Sequence, residues 1–499
     1  MQSARLTVDP AFRIGTVDPR LYGSFVEHLG RCVYTGLYEP GHPSADADGF
    51  RQDTADLVRE LGVPIVRYPG GNFVSGYRWE DGIGPVGERP RRLDLAWRSI
   101  ETNRVGVDEF QKWAATVGTE TMMAVNLGTR GIDAARSLVE YCNVPGGTYW
   151  SDLRRAHGAA DPYRIKVWCL GNEMDGPWQI GHKTAHEYGR LAHETAKAMR
   201  QVDPTLELVA CGSSSLDMPT FGSWESTVLA ETYDVVDHVS MHGYYQQHGD
   251  DRGSFLAAAA GMDRFIDAVV ATADHVRATG RHKKRLGISF DEWNVWYQSR
   301  FAGETNLEIA ETPRLIEDVY SVTDAVVVGN LLISLLRHAD RVRIGCLAQL
   351  VNVIAPIMTE PGGASWRQAT FHPFALTSRF GRGTVLRVEP QVAVYDTAEQ
   401  GEVPLVDAVA VWDEDTGGVV LFAVNRHLTE PIALDVDLRA WTTLTSAEHT
   451  CIADDDPDAI NDMAHPDRVV PRRLDDPKLD GGRLQAALPP LSWSMIRLS

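Results

Sequence analysis

Ile165-Lys166-Val167-Trp168-Cys169-Leu170-Gly171-Asn172-Glu173 is the stretch on which the fold turns. Its first six residues are an apolar run of strand length, and Gly171 punctuates the end. A carboxylate stands two residues later, and a longer segment with helical periodicity leads to the next run. The same grammar repeats on both sides. Upstream lie Tyr22-Gly23-Ser24-Phe25-Val26, Pro64-Ile65-Val66-Arg67-Tyr68 and Met122-Met123-Ala124-Val125-Asn126. Downstream lie Leu208-Val209-Ala210-Cys211, His238-Val239-Ser240-Met241-His242, Leu286-Gly287-Ile288-Ser289-Phe290 and Leu347-Ala348-Gln349-Leu350. The runs number eight between about Leu21 and about Phe371.

Between them, Phe110, Trp113, Ala114 and Val117 recur at i, i+3, i+4, i+7, one stripe of an amphipathic helix. Val319 to Leu336 is the most apolar helical segment and is expected to pack against the strands. Strands alternating with helices make βαβ units and a parallel sheet. Eight repeats predict an α/β chain built on a (β/α)8 TIM barrel with long loops. The alternation alone also fits a doubly wound open sheet.

Beyond about Thr377 the pattern changes. Gly418 to Val424 follows the turn residues Asp413-Glu414-Asp415-Thr416-Gly417 and reads as half of a hairpin. Ile432, Leu434, Val436 and Leu438 alternate at period two, so one face is expected to be buried. Leu491 to Met495 alternates as well. The expected division is a barrel over 17–375, with 1–16 plus 376–499 forming an antiparallel, jelly-roll-like β-sandwich.

The 499 residues carry 48 basic and 68 acidic side chains, a net charge of −20. That balance argues against a protein that grips nucleic acid or an anionic membrane. Six scattered cysteines without a CxxC pair read as reduced, buried thiols. The first ten residues lack the apolar core of a signal peptide, so the expected location is cytoplasmic. Gly82-Ile83-Gly84-Pro85-Val86-Gly87 matches GxGxxG, but Pro85 interrupts it and no strand precedes it; it reads as a loop. His182 and His186 lack the HExxH order and read as solvated helix residues rather than metal ligands. No cofactor and no metal is expected.

The chemistry concentrates where the barrel strands end. Strand one leads to Glu27-His28, strand two runs from Arg67 to Asn72, and strand four leads to Asn172-Glu173. His242-Gly243-Tyr244 closes strand six, Asp291-Glu292-Trp293-Asn294 closes strand seven, and Gln349 closes strand eight. Like charges brought together are costly, so clustered glutamates point to function rather than stability. Two carboxylates flanking a glycosidic bond are the equipment of sugar hydrolysis. A retaining enzyme holds them ~5–5.5 Å apart and an inverting one ~6.5–9.5 Å, and the residues fit both.

The segments Trp168 to Glu173, Phe290 to Asn294 and Arg67 to Asn72, with the closing Leu488-Pro489-Pro490-Leu491-Ser492-Trp493, resemble glycoside hydrolase family 51, the α-L-arabinofuranosidases. The resemblance covers nearly the whole chain. It implies a retaining, exo-acting enzyme that removes terminal α-L-arabinofuranosyl groups from arabinan or arabinoxylan oligosaccharides. It further implies Glu173 as acid/base and Glu292 as nucleophile. By the same likeness Glu27, Asn72 and Gln349 hold the sugar ring, and Asn172 bonds its 2-hydroxyl. Tyr244 orients Glu292, Arg67 supports it electrostatically, Trp97 and Trp296 line the leaving-group side, and His242 belongs to the same constellation. The loops 144–163 and 355–366 are expected to set linkage preference. A homo-oligomer, a hexamer by resemblance, is expected. The rival readings are another retaining hydrolase of the same clan, an endo-β-glucanase or β-xylosidase, and a non-catalytic carbohydrate-binding protein.

Overall fold

The computed structural model describes residues 2–441 and 443–499. Eight parallel strands close into a barrel in strict sequence order. They are β1 (Gly23–Phe25), β2 (Ile65–Tyr68), β3 (Glu120–Ala124) and β4 (Val167–Leu170), then β5 (Glu207–Ala210), β6 (His238–Tyr245), β7 (Gly287–Val295) and β8 (Val342–Leu347). Each is buried along nearly its whole length, as expected of strands lined by helices outside and by one another's side chains inside. The open-sheet alternative is thereby excluded. The helix Val107–Val117 buries the Phe110, Trp113, Ala114 and Val117 stripe against this core.

The eighth run needs correction. Leu347 to Leu350 was expected to form the strand, yet β8 begins at Val342, and Gln349 lies just beyond its end. Arg343 and Gly345 hide the strand from a hydrophobicity count. Gly345 is required because a Cβ there would stand 2.5 Å from the carbonyl oxygen of Leu21.

Apart from three two-stranded hairpins, the remaining strands form two sheets. One, of four strands, runs in the order Gln2–Thr7, Ile432–Asp437, Arg483–Leu488, Lys478–Asp480. The other, of seven, runs Arg13–Thr16, Thr384–Leu386, Val406–Trp412, Val419–Asn425, Ser492–Leu498, Ala447–Ile452, Arg472–Arg473. All neighbours are antiparallel except the first strand, which pairs in parallel with Ile432–Asp437. The N-terminal residues thus contribute to both sheets. Ala4, Leu6, Leu421, Leu434, Val436 and Ile496 fill the space between them.

The seven-stranded sheet is buried on its other face too. Val409, Val411, Phe422, Val424, Trp493 and Met495 belong to the core shared with the barrel. Against them lies the helix Val322–Arg337, in which every residue from Val322 to Leu336 is buried. A helix apolar all round is the form this position demands. It starts at Val322 rather than Val319 because Ser321 and Asp324 build a reciprocal cap. Gly329 lets the Trp493 ring approach; a Cβ there would sit 2.2 Å from the indole.

Candidate active site

The mouth of the barrel is built from strand ends, and three departures from regular backbone aim the side chains. On a regular strand Asp291 and Glu292 would point to opposite faces. The pairing of β7 slips between Phe290 and Trp293 against β8, and between Ser240 and His242 against β6. These irregularities turn both carboxylates inward. Glu173, beyond β4, adopts a left-handed backbone with φ of 42°, a conformation that costs energy for any residue but glycine. Gly71, with φ of 61°, lies so close to Glu27 that a Cβ would stand 2.1 Å from its carboxyl carbon.

Arg67 rises from β2 into the centre. Its guanidinium donates to Glu292 Oε1 and to Asn172 Oδ1, both at 2.7 Å, and its Nε stands 3.6 Å from Asp291. Tyr244 donates its hydroxyl to the other oxygen of Glu292 at 2.7 Å. Both oxygens of Glu292 are thus engaged by hydrogen-bond donors, one of them charged. Burial and the neighbouring Glu292 push the Tyr244 phenol well above its ordinary range, so it remains a donor.

His242 is hydrogen-bonded to Glu173 Oε1 through Nδ1 at 2.9 Å and to Asp291 Oδ1 through Nε2 at 3.1 Å. Burial alone would lower its pKa, but Glu292, Asp291 and Glu173 together raise it to about 10. The ring is therefore an imidazolium that donates from both nitrogens. The second oxygen of Glu173 accepts from the Trp178 indole at 2.8 Å. Asp291, below these groups, is held under the usual carboxylate range: burial opposes this, but Arg67 and His242 prevail.

Glu27 anchors the opposite side. It accepts from the Phe73 amide at 3.0 Å, the Trp97 indole at 2.7 Å and the Gln349 amide at 3.1 Å. Burial nevertheless pushes its carboxyl up to about 8, and Glu292 adds to the rise.

These groups surround a cavity of about 440 Å³, the size of a small-molecule site. Of the eleven residues expected to form the site, Glu27, Asn72, Trp97, Glu173, Tyr244, Glu292, Trp296 and Gln349 line it. Arg67, Asn172 and His242 lie behind that wall, where Arg67 holds Glu292 and Asn172, and His242 holds Glu173. The Asn172 Nδ2 is buried without a partner.

Glu173, His242 and Glu292 present ligand-type atoms within 4.8 Å of one another, the sole such group of three among the described residues. Both ring nitrogens of His242 are already engaged within the protein, one by Glu173 and the other by Asp291. His182 and His186 are both exposed; His182 precedes the helix Ala185–Val202, and His186 faces Glu231 at 3.2 Å.

The sequence did not reveal several wall residues. Trp178, half exposed, touches Glu173, and its place five residues after that glutamate was the available signal. Ser214, Ser215, Asp217 and Met218 follow β5, and Gln298, Ile316, Val353 and Ile354 complete the rim. The loops 144–163 and 355–366 do not line the cavity. The first carries the helix Tyr149–Ala156, which packs on helix Ile132–Asn143 of the outer ring. The second is a hairpin held to the segment 31–51 through Arg31 and Arg51.

Comparison with known proteins agrees with this geometry. A family described as "Alpha-L-arabinofuranosidase 1 domain" matches residues 57–263, and "Alpha-L-arabinofuranosidase C-terminal domain" matches 291–492. The chain is 61% identical, over its full length and 75% of the relative's, to an intracellular exo-α-(1→5)-L-arabinofuranosidase of Streptomyces lividans. It is 52% identical to an exo-α-(1→6)-L-arabinofuranosidase of Bifidobacterium longum, covering 100% of this chain and 98% of that one. Among solved structures, a family 51 α-L-arabinofuranosidase from Bifidobacterium longum superimposes with a TM-score of 0.95, at 47% identity, over 100% of both chains.

Proposed function

Because the chain belongs to the α-L-arabinofuranosidases of glycoside hydrolase family 51, we propose that Glu292 and Glu173 cleave its substrate by two successive displacements. The enzyme is an exo-acting α-L-arabinofuranosidase. In the first step Glu292 attacks the anomeric carbon while Glu173 gives a proton to the departing oxygen. In the second, Glu173 takes a proton from water, which displaces Glu292 and frees arabinose in its original configuration.

The observation that carries this reading is the spacing of the two carboxylates. Oxygens of Glu173 and Glu292 lie within 4.8 Å of each other, close to the ~5–5.5 Å of retaining enzymes and below the ~6.5–9.5 Å of inverting ones. Arg67 and Tyr244 orient Glu292 for attack and receive it again as it leaves. His242 aligns Glu173 from behind. Glu27, Asn72 and Gln349 offer the polar groups that bind the sugar's hydroxyls, with Trp97 and Trp296 as apolar walls. The buried Nδ2 of Asn172, which has no protein partner, is the donor this reading assigns to the 2-hydroxyl.

The substrates in this reading are arabinan or arabinoxylan oligosaccharides, with the (1→5) linkage favoured by the Streptomyces relative and the (1→6) linkage as the competitor. The relatives named intracellular support a cytoplasmic enzyme acting on imported fragments. No helix among the described residues is long and apolar enough to cross a membrane. Residues 17–375 form the catalytic unit in this account, 1–16 with 376–499 the supporting sandwich, and the chain assembles as a hexamer, a state light scattering measures directly.

The test is release of 4-nitrophenol from 4-nitrophenyl α-L-arabinofuranoside with methanol as cosolvent, beside the β-xyloside and a soluble β-glucan. Preference for the arabinofuranoside, with methyl α-L-arabinofuranoside as the transfer product, is expected. A β-configured product would overturn the two-step mechanism. Cleavage of the xyloside or glucan alone would restore the rival hydrolase readings.

A further inference from the structure

Two residues beyond Glu173, the same loop carries Asp175, a buried carboxylate that does not line the cavity. One of its oxygens, Oδ2, accepts two hydrogen bonds from a single residue of the next loop: the backbone amide and the hydroxyl of Ser214, both at 3.0 Å. Its other oxygen, Oδ1, is buried without a partner. A buried carboxylate so incompletely satisfied is costly, and burial, with Glu173 nearby, pushes it up to about 6. A position maintained at such cost calls for a function.

The segment that Asp175 grips is pinned from two further directions. The Gly212 amide donates to Ser240 Oγ of β6 at 3.2 Å, and the Ser213 amide donates to Glu225 Oε1 at 2.7 Å. Three successive amides after β5 are therefore fixed by three different elements. Immediately beyond, Ser215, Asp217 and Met218 join Ser214 and Trp178 in the cavity wall beside Glu173. That wall borders the proton donor, and a proton donor of this kind lies next to the departing group. Glu27 and Gln349, bound to each other, belong to the side that holds the sugar being transferred.

We propose that Asp175 is a positioning residue that locks the Ser214–Met218 wall to the Glu173 loop and so sets the subsite for the leaving sugar. The proposal rests on the assignment of Glu173 as acid/base. The lock acts through two hydrogen bonds to one oxygen, a task that the carboxamide of asparagine also performs and alanine does not. Misplacing a reacting group by about 1 Å costs on the order of a hundredfold in rate. Such a loss falls on a leaving group that needs both contacts and a proton. 4-Nitrophenolate, a stable anion with no hydroxyls to bind, needs neither.

The experiment measures kcat and KM for Asp175→Ala and Asp175→Asn on two substrates, an α-(1→5)-linked arabinotriose and 4-nitrophenyl α-L-arabinofuranoside. For Asp175→Ala, kcat/KM on the trisaccharide is expected to fall about thirtyfold or more, with a raised KM, while the aryl glycoside stays within about threefold. Asp175→Asn is expected to restore most of the trisaccharide activity. Equal losses on both substrates, or an asparagine variant as impaired as alanine, would overturn the proposal. Should Asp175→Ala fail to fold, Asp175→Ser, too short to hold both Ser214 donors, carries the same test: a loss confined to the trisaccharide supports the lock, and an equal loss on both refutes it. A wild-type enzyme inactive on the aryl arabinofuranoside would instead sink the functional reading beneath.

Discussion

Two of the clusters of charge that the molecule takes out of water are built to opposite rules. At the barrel mouth, Glu27, Glu173, Asp291 and Glu292 face only Arg67 and His242 as cationic partners. Between barrel and sandwich, Asp263 and Asp407 meet Arg337 and Arg426, with Asn330 filling the gaps. The second cluster is balanced: each acid has a base, and Arg426 spends four further contacts on the carbonyls of Leu256 and Pro404 and on Asn330. The first sets four acids against two bases. Balance joins two domains; imbalance holds a proton and a nucleophile ready.

If that contrast is right, changes at the mouth cost activity and changes at the junction cost stability. The largest effect expected is on Glu292→Gln, which removes the attacking group while keeping its shape. Turnover of 4-nitrophenyl α-L-arabinofuranoside should fall by about 10⁴-fold or more, with an unchanged melting temperature. A residual rate within tenfold of wild type would dissolve the comparison. Next comes Asp407→Ala, which leaves the buried Arg426 without its acid and Arg337 with Asp263 alone, and should lower stability by about 3–5 kcal/mol in denaturant unfolding. The kcat of its folded fraction should not change. Tyr244→Phe, a single hydrogen bond to Glu292, should reduce kcat about ten- to a hundredfold without loss of fold.

Titration sharpens the contrast further, since the two clusters respond at opposite ends of the pH scale. Burial opposes ionisation of Asp407, but Arg337 and Arg426 hold it below the ordinary carboxylate value. A depressed acid stabilises fully above its unfolded pKa of about 4 and loses that contribution as pH falls. His242 is raised to about 10, so its contribution is complete below about pH 6.5 and is lost on the way up to about 10. Melting temperatures of Asp407→Asn and His242→Gln, compared with wild type across pH, should therefore converge on it at the acid end and the alkaline end respectively. Convergence at the same end for both would contradict the assignment.

How far the sequence foretold this follows the same division. The barrel was legible because seven of its strands fall on short, largely apolar runs; β8 was displaced because Arg343 and Gly345 serve contacts at the barrel's other pole. The Ile432 to Leu438 alternation predicted its one-sided burial, whereas Ser492–Leu498, buried on both faces, conceals its partner. In the site, the residue types announced the chemistry, but their depth did not. Whether Arg67, Asn172 and His242 form the wall or lie behind it depends on the slipped pairing around Asp291 and Glu292, which no periodicity records. Trp97 reaches Glu27 from 70 residues away, and the Ser214–Met218 wall enters by a turn with no motif. Loop residues of this kind are placed by tertiary contacts, and only the fold displays them.

The central claim is that Glu292 takes the sugar. Its most direct test is to mix the Glu173→Ala variant, slowed in the second step, with 2,4-dinitrophenyl α-L-arabinofuranoside, quench with acid and weigh the protein. The account predicts a protein heavier by one arabinofuranosyl group, with the added mass on the peptide that contains Glu292. Dinitrophenolate release with no adduct, or an adduct on any other residue, would contradict it.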